Sequence, residues 1–185
     1  MNFGSKWLRW IEACVCSASF WVLINGSPTD DFKARRGLRQ GDPLSPFLFI
    51  LAAEGLARLM HNTLSSHYFL PFSINDDLHI SLLQFADDTM IVGTPSWENI
   101  GTLKGLLRGF ELCSGLSVNF SKSKILGFNV EMDFLQAASD FLFCAISPFP
   151  FQFLGISIGC NPRRKSAWSL ITTKLRNMLA LWRGN

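Results

Sequence analysis

The sequence predicts an α+β fold, in which a small antiparallel sheet is covered by helices on one face. Two strand–turn–strand patterns predict hairpins, one around Asn25-Gly26-Ser27-Pro28 and one around Ala86-Asp87-Asp88. Elsewhere apolar residues recur at helical spacing. The core is expected to come from helices over residues 44–60 and 100–110 and from two central strands. With 185 residues, the chain is long enough for one domain with its own core, or for a piece of a larger domain.

The N-terminal part contains a predicted helix, two strands and a loop. In chain order these are a helix over residues 3–17, strands over residues 20–25 and 32–36, and a turn-rich loop over residues 35–46. The loop leads into an apolar helix, for which Asp42 or Ser45 is the expected N-cap, with proline at the first helical position. The sequence therefore predicts a loop between a hairpin and a buried helix.

The remaining elements alternate between strands and helices. In chain order they are a strand over 78–85, a returning strand over 89–93, a helix from Ser96 to Gly115, a strand over 116–120, a helix over 132–143 and a strand over 153–158. A last helix is predicted from apolar residues at alternating spacings of three and four: Trp168, Ile171, Leu175, Met178 and Trp182. We expect Trp168 and Trp182 to pack in a core, with the basic face of this helix exposed.

Positive charge is concentrated at the C-terminal end of the chain. The net charge is only +3, but residues 161–185 hold six basic side chains and no acidic one. Residues 1–160 are therefore net negative. A smaller basic group lies near the loop described above: Lys33, Arg35, Arg36 and Arg39. Clusters of this kind favour contact with nucleic-acid backbone.

Several classes of protein are disfavoured by composition. The five cysteines lack the C-x-x-C spacing of a zinc site, which argues against structural zinc and against a disulfide framework. We expect an intracellular protein, cytoplasmic or nuclear. The most apolar window, residues 44–60, is interrupted by Glu54 and Arg58, so no membrane span is expected. Near the N-terminus, Glu12 interrupts what would otherwise resemble a signal peptide.

The adjacent carboxylates of Asp87 and Asp88 are the first candidate for chemistry. At the tip of a hairpin they could hold Mg²⁺, a hard cation that prefers carboxylate oxygen and keeps substrate phosphate in its coordination shell. Aspartate is also a favoured turn residue, so this pair taken alone is more often plain turn chemistry. Its interpretation depends on the segments around it.

Those segments resemble, in order and spacing, the reverse transcriptases of LINE-type (non-LTR) retrotransposons, particularly those abundant in plant genomes. The matching segments are FGSKWLRWI at 3–11, NGSP at 25–28, RGLRQGDPLSP at 36–46, FADD at 85–88, GLSVNFSKS at 115–123 and FLGISIG at 153–159. The match at 36–46 is the most specific. The resemblance covers essentially the whole chain. It implies two domains: a partial polymerase palm with a primer-grip hairpin over residues 1–160, and the basic, amphipathic start of a thumb over residues 161–185.

The resemblance implies an RNA-directed DNA polymerase with a two-metal mechanism. Asp87 would be the principal ligand of Mg²⁺ or Mn²⁺, and Asp88 an auxiliary one. Lys122 would be the proton donor to the leaving group, although a solvated surface lysine fits it equally well. The partners implied are an RNA template, a DNA primer and deoxynucleoside triphosphates. Residues implied near nucleotide and template are Arg39, Gln40, Gly41, Phe85 and Ala86.

The resemblance implies that five basic residues contact the nucleic-acid backbone. The alternative for each is a solvent-exposed side chain that binds no partner. The residues concerned are Arg35, Arg36, Arg163, Arg164 and Lys165.

The resemblance also has one gap. The family carries its first metal-binding aspartate in a Phe-x-x-Ala-[Phe/Tyr]-Asp segment before the region matched by residues 3–11, and this sequence has no such segment. We therefore expect no activity from this chain alone. The alternatives are a non-catalytic nucleic-acid-binding remnant and a degenerate structural product.

Overall fold

The predicted α+β class is confirmed by a computed structural model, which describes residues 3–17, 19–33 and 41–183. The helices are α1 (Ser5–Cys16), α2 (Ser45–Ser65), α3 (Trp97–Ser114), α4 (Met132–Leu142) and α5 (Ser169–Arg183), with a 3-10 turn at Lys165–Trp168. The strands are β1 (Ser19–Phe20), β2 (Leu23–Ile24), β3 (Ser27–Pro28), β4 (Phe32–Lys33), β5 (Phe72–Ser73), β6 (His79–Ile80), β7 (Leu82–Phe85), β8 (Asp88–Ile91), β9 (Lys124–Ile125), β10 (Ala145–Ile146), β11 (Phe151–Phe153) and β12 (Ile156–Ile158).

Short strand pairs, rather than one broad sheet, make up the β-structure of the described residues. Five pairs are antiparallel: β1 with β4, β2 with β3, β5 with β6, β7 with β8, and β11 with β12. The sixth, β9 with β10, is parallel because α4 carries the chain back between the two strands. Within the described part of the chain, no helix is both long and apolar enough to cross a membrane.

The chain separates into two compact units. The first comprises residues 1–59 and 108–117, and the second residues 60–107 and 118–185. The domain boundary predicted near residue 160 stays a prediction. In the first unit, the Asn25-Gly26 turn of the β2–β3 hairpin has positive φ at both residues, as the sequence predicts. Asp42 accepts a hydrogen bond from the Leu44 main-chain N–H at 2.8 Å and so closes a turn just before α2.

The second unit contains most of the buried side chains. Those of α4 recur at helical spacing: Leu135, Ala138, Ser139 and Leu142. Met60, Phe69 and Leu106 are buried as well. The helix ends at Phe143, which adopts the left-handed conformation with φ of 58°. The core of this unit thus includes Leu106 of the predicted 100–110 helix, but it draws most on α4, from which no core was predicted.

A buried asparagine ties three segments of the second unit together. Asn99 lies in the first turn of α3 and is 4% exposed. Its side chain accepts a hydrogen bond from the Leu70 N–H and donates to the carbonyls of Leu70 and Thr94. Pro71 and Gly93 form an isolated bridge beside these bonds. Residues 71–93, which include both the β5–β6 and β7–β8 hairpins, are thus closed at their base.

Several expectations about local structure are wrong. The strand predicted over 153–158 is a hairpin, β11–β12, that turns at Leu154 and Gly155. The strand predicted over 20–25 is broken into β1 and β2. Residues 116–120 form no strand; a turn occupies 120–122, and the strand begins at Lys124. The strand predicted over 78–85 is broken at Ser81 into β6 and β7. Trp182 is 88% exposed and Trp168 is 45% exposed, with the indole N–H of Trp168 donating to the Pro162 carbonyl at 2.7 Å. The two tryptophans of this segment are therefore not buried within their own unit.

Candidate functional site

The two candidate carboxylates lie at the tip of the β7–β8 hairpin. Phe85 pairs with Asp88 in the last rung of the ladder, so the loop consists of Ala86 and Asp87 alone. Ala86 has φ of 51°, the left-handed conformation that such a short reversal needs and that alanine adopts only with strain. A two-residue loop in a defined register fixes where the main chain of both aspartates lies.

Alternation along the strands separates the side chains of this hairpin into two faces. Phe85, Leu83, Asp88 and Met90 share one face because residues two apart point the same way and opposed residues lie on the same side. Phe85 is 65% exposed and Asp88 is exposed. The carboxylate of Asp88 therefore emerges beside an exposed aromatic ring at the tip.

The side-chain carboxylates of Asp87 and Asp88 form no bond with another described residue. Both side chains are exposed, and no donor or cation of the described residues bonds to either carboxylate. Among the described residues, no group of three or more His, Cys, Asp or Glu side chains could hold a metal ion. The tip thus offers two hard oxygen ligands and leaves the remaining coordination positions to other groups.

Lys122 lies on a separate loop of the same unit, between α3 and β9. Its side chain is exposed. Its main-chain N–H donates to both the main-chain carbonyl and the side-chain Oδ1 of Asn119, each at 3.1 Å. Two residues later, β9 pairs with β10 in the register Lys124 to Ala145. The lysine is therefore carried on a closed turn next to a paired strand.

The predicted nucleotide-binding loop is described only at its end. Arg35, Arg36, Arg39 and Gln40 lie outside the described residues. Gly41 has φ of 84°, and a Cβ built on it would meet no atom within 4 Å. Glycine is required there by the main-chain conformation rather than by a close neighbour. The roles predicted for this loop stay predictions.

The basic segment after β12 begins with a tight turn. The Asn161 side chain accepts a hydrogen bond from the Arg163 N–H at 3.0 Å, and the Asn161 carbonyl accepts one from the Arg164 N–H at 3.1 Å. The side chains of Arg163, Arg164 and Lys165 are exposed and form no ion pair with any described residue. They are thus available to an anionic partner.

Sequence reasoning missed two asparagines that shape this unit. Asn119 begins the Asn-x-x-Lys pattern that the resemblance includes, but a role was predicted for Lys122 alone; the signal for Asn119 is the preference of asparagine for turns. Asn99 is a polar residue on the buried side of α3, in helical register with Leu106. A polar side chain at an apolar position of a helix is the signal that identifies it.

Comparisons with known proteins give one family and two relatives. Residues 1–158 match the sequence profile described as reverse transcriptase (RNA-dependent DNA polymerase). Over 76 residues, 40% of the chain, the sequence is 42% identical to an uncharacterized mitochondrial protein of Arabidopsis thaliana and covers 62% of it. Over 138 residues, 74% of the chain, it is 28% identical to the uncharacterized 149 kDa protein of transposon TX1 of Xenopus laevis and covers 10% of it. The chain thus spans less than two thirds of either relative.

Proposed function

The chain belongs to the reverse transcriptase family, and from that premise we propose that it is part of the RNA-directed DNA polymerase of a LINE-type (non-LTR) retrotransposon, similar to those of plants. Two relatives support this, one named for a transposon and one a plant mitochondrial protein. The segments at 36–46 and 85–88 support it further. In this proposal residues 1–160 are the C-terminal part of a palm, and residues 161–185 begin the thumb.

The observation that carries the proposal is the pair of exposed, unengaged carboxylates on the two-residue turn of β7–β8. Proteins of this family generally use divalent metal ions, and carboxylate oxygens fit Mg²⁺ and Mn²⁺. Asp87 is the principal ligand and Asp88 the auxiliary one. Held by these carboxylates, such ions would activate the primer 3′-hydroxyl and neutralise charge on the departing pyrophosphate.

The other predicted residues serve the substrates in this proposal. Lys122 donates a proton to the leaving pyrophosphate or neutralises its charge. The groups placed near the incoming deoxynucleoside triphosphate and the RNA template are Arg39, Gln40, Gly41, Phe85 and Ala86. The basic residues Arg35, Arg36, Arg163, Arg164 and Lys165 hold the backbone of template and primer. The protein acts inside the cell, in the cytoplasm or nucleus, where template and nucleotides are present.

Two carboxylates cannot clamp a pair of cations from opposite sides. We infer that polymerisation needs a further carboxylate beyond the two on this hairpin, because no described group gathers three metal-binding side chains. The 185-residue polypeptide on its own is therefore expected to be inactive in primer extension on an RNA template with Mg²⁺ or Mn²⁺. Sustained extension that is abolished by Asp87→Asn would contradict this part of the proposal.

Metal binding by the carboxylates of Asp87 and Asp88 is tested with Mn²⁺ as a paramagnetic probe. The backbone amide signals of Asp87 and Asp88 should broaden at lower Mn²⁺ concentration than other signals, and Asp87→Asn should remove most of the effect. The chain contains a matched control, the Asp76-Asp77 pair in the turn between β5 and β6. Equal broadening at both pairs would mean that Mn²⁺ follows exposed charge and would remove the case for a metal site.

A second candidate, a nucleic-acid-binding remnant without catalysis, is favoured by the unpaired cations of residues 163–165. Filter binding to single-stranded RNA without divalent metal measures it. If all three side chains contact phosphate, replacing them with glutamine should lower the slope of log K against log salt by about 2, since each contact contributes roughly 0.7. Matched replacement of Lys6 and Arg9 in α1 should leave the slope unchanged.

A further inference from the structure

The loop that carries Lys122 is closed by one side chain and one carbonyl of Asn119. The side-chain Oδ1 accepts hydrogen bonds from the Lys122 N–H at 3.1 Å and from the Ser121 hydroxyl at 2.7 Å. The Asn119 carbonyl accepts from the N–H groups of Lys122 and Ser123 at 3.1 and 3.0 Å, and from the Ser123 hydroxyl at 2.9 Å. Every residue from 121 to 123 is thus bonded to Asn119.

These bonds explain the spacing of the Asn-x-x-Lys pattern. An asparagine side chain that accepts the main-chain N–H three residues later closes a turn, and in this loop the same N–H also donates to the main-chain carbonyl of the asparagine. Here the third residue is Lys122. A lysine one position earlier or later would not receive the side-chain bond through its own N–H.

The other side of the loop is also fixed. Lys124 and Ile125 pair with Ala145 and Ile146 in the parallel β9–β10 ladder, and the Ile125 carbonyl accepts a further bond from the Ser147 N–H. Lys122 therefore lies between a closed turn and a paired strand. Its main chain is restricted, while its exposed side chain stays free to reach a ligand.

We propose that Asn119 is the positioning residue for Lys122, holding its main chain so that the ammonium group reaches the departing pyrophosphate. This rests on the role given to Lys122 in the proposed function. Asn119 itself touches no substrate. Its contribution requires only an acceptor oxygen, because its amide nitrogen donates to no described residue.

The experiment is a ³¹P NMR titration of the 185-residue chain with inorganic pyrophosphate in excess Mg²⁺. Lys122→Ala should weaken pyrophosphate binding by roughly two- to fivefold through loss of an exposed charge pair. Asn119→Ala should weaken it by about twofold and should speed amide exchange at Lys122 and Ser123. Asn119→Asp and Asn119→Ser, which keep an acceptor oxygen, should restore both measurements.

The matched control is Asn75→Ala. Asn75 closes a comparable turn in the β5–β6 hairpin, where its Oδ1 accepts from the N–H groups of Asp77 and Leu78. This variant should leave pyrophosphate binding unchanged. Equal weakening by Asn75→Ala, or failure of both acceptor variants to restore binding, would mean general damage and would overturn the inference.

The two possible failures are distinguishable. If Lys122→Ala binds pyrophosphate as the unchanged chain does, then the proposed role of Lys122 is wrong, and the positioning role falls with it. If Lys122→Ala weakens binding and Asn119→Ala does not, only the inference about Asn119 is overturned. Unchanged amide exchange at Lys122 in Asn119→Ala would overturn it as well, because the turn would then close without the side chain.

Discussion

Replacing Asn99 with leucine is the sharpest test of how the β7–β8 hairpin is held. Asn99 accepts from the Leu70 N–H at 2.8 Å and donates to the carbonyls of Leu70 at 2.8 Å and Thr94 at 2.9 Å. It also donates to the Thr94 hydroxyl at 3.1 Å. Leucine has nearly the same shape and none of these bonds, so the substitution removes hydrogen bonding while leaving little cavity.

The expected loss of stability follows from the three main-chain partners. A hydrogen bond in a folded protein contributes about 1 kcal/mol net, and a buried group left without a partner costs about 1–3 kcal/mol. Asn99→Leu should therefore lower the free energy of unfolding of this unit by about 3 kcal/mol. Thr102→Val is the graded control, because half-buried Thr102 makes a single bond of 2.9 Å to the Tyr68 carbonyl. Its loss should be about 1 kcal/mol or less.

Native-state amide exchange is the appropriate assay because two compact units need not unfold as one. The Leu70 amide should lose protection in Asn99→Leu and keep it in Thr102→Val. Urea unfolding followed by circular dichroism gives the overall size of the effect. Equal losses in the two variants, or an unchanged Leu70 amide, would refute the view that Asn99 closes the base of residues 71–93.

Asn99→Asp separates the acceptor half of the side chain from the donor half. It keeps the acceptor for the Leu70 N–H but turns a carboxylate toward two carbonyls, so the pKa of the new carboxyl should be raised in the folded state. Its stabilising contribution is present below the unfolded pKa and is lost as pH rises through the folded pKa. The variant should therefore be more stable at pH 4 than at pH 7, relative to Asn99→Leu. No pH dependence of that difference would contradict the donor role.

Three further predictions test local packing and ionisation. Gly93→Ala should destabilise the unit by about 1–3 kcal/mol in thermal unfolding, because its Cβ would lie 2.6 Å from the Phe69 ring. Gly105→Ala is the control: a Cβ at this position of α3 meets open space, so this variant should stabilise the unit by about 1 kcal/mol. Burial raises the pKa of the Cys144 thiol, so Cys144 should be alkylated after the exposed cysteines. The free energy of unfolding should fall as pH rises through that raised pKa, because the folded protein then has to bury a thiolate. Replacement of Cys144 with alanine should remove this pH dependence. Lys104→Met should cost about 1 kcal/mol, because the ammonium donates to the Phe141 carbonyl at 2.7 Å and lies 4.0 Å from its ring.

Features fixed by local periodicity were predictable from the sequence. The two hairpin turns, α3, α4 and α5 all lie where turn residues and helical spacing predict them. These signals are local because they depend on main-chain dihedrals and on one buried face. The position of the Asp87-Asp88 turn was predictable for the same reason, although the catalytic roles of these residues stay predictions.

Features that depend on distant contacts were not predictable. The β9–β10 pair is parallel and has only two residues in each strand, which is too short to show alternation. The helical position of Asn99 marks it as a buried polar residue, but its partner Leu70 lies 29 residues away and could not be deduced. The exposure of Trp182 could not be deduced from its spacing, because periodicity identifies an apolar face but not what that face packs against.

The arrangement of the second unit separates residues that do chemistry from residues that hold them. Asp87, Asp88 and Lys122 are exposed, and no side chain of the described residues bonds to their charged groups. Their positions are set through the main chain instead, by the strained turn at Ala86 and by the oxygens of Asn119. Charged side chains left without internal partners keep their full affinity for cations and phosphate, whereas a carboxylate paired with an internal lysine would lose it. Restricting the main chain alone therefore orders the site without neutralising it.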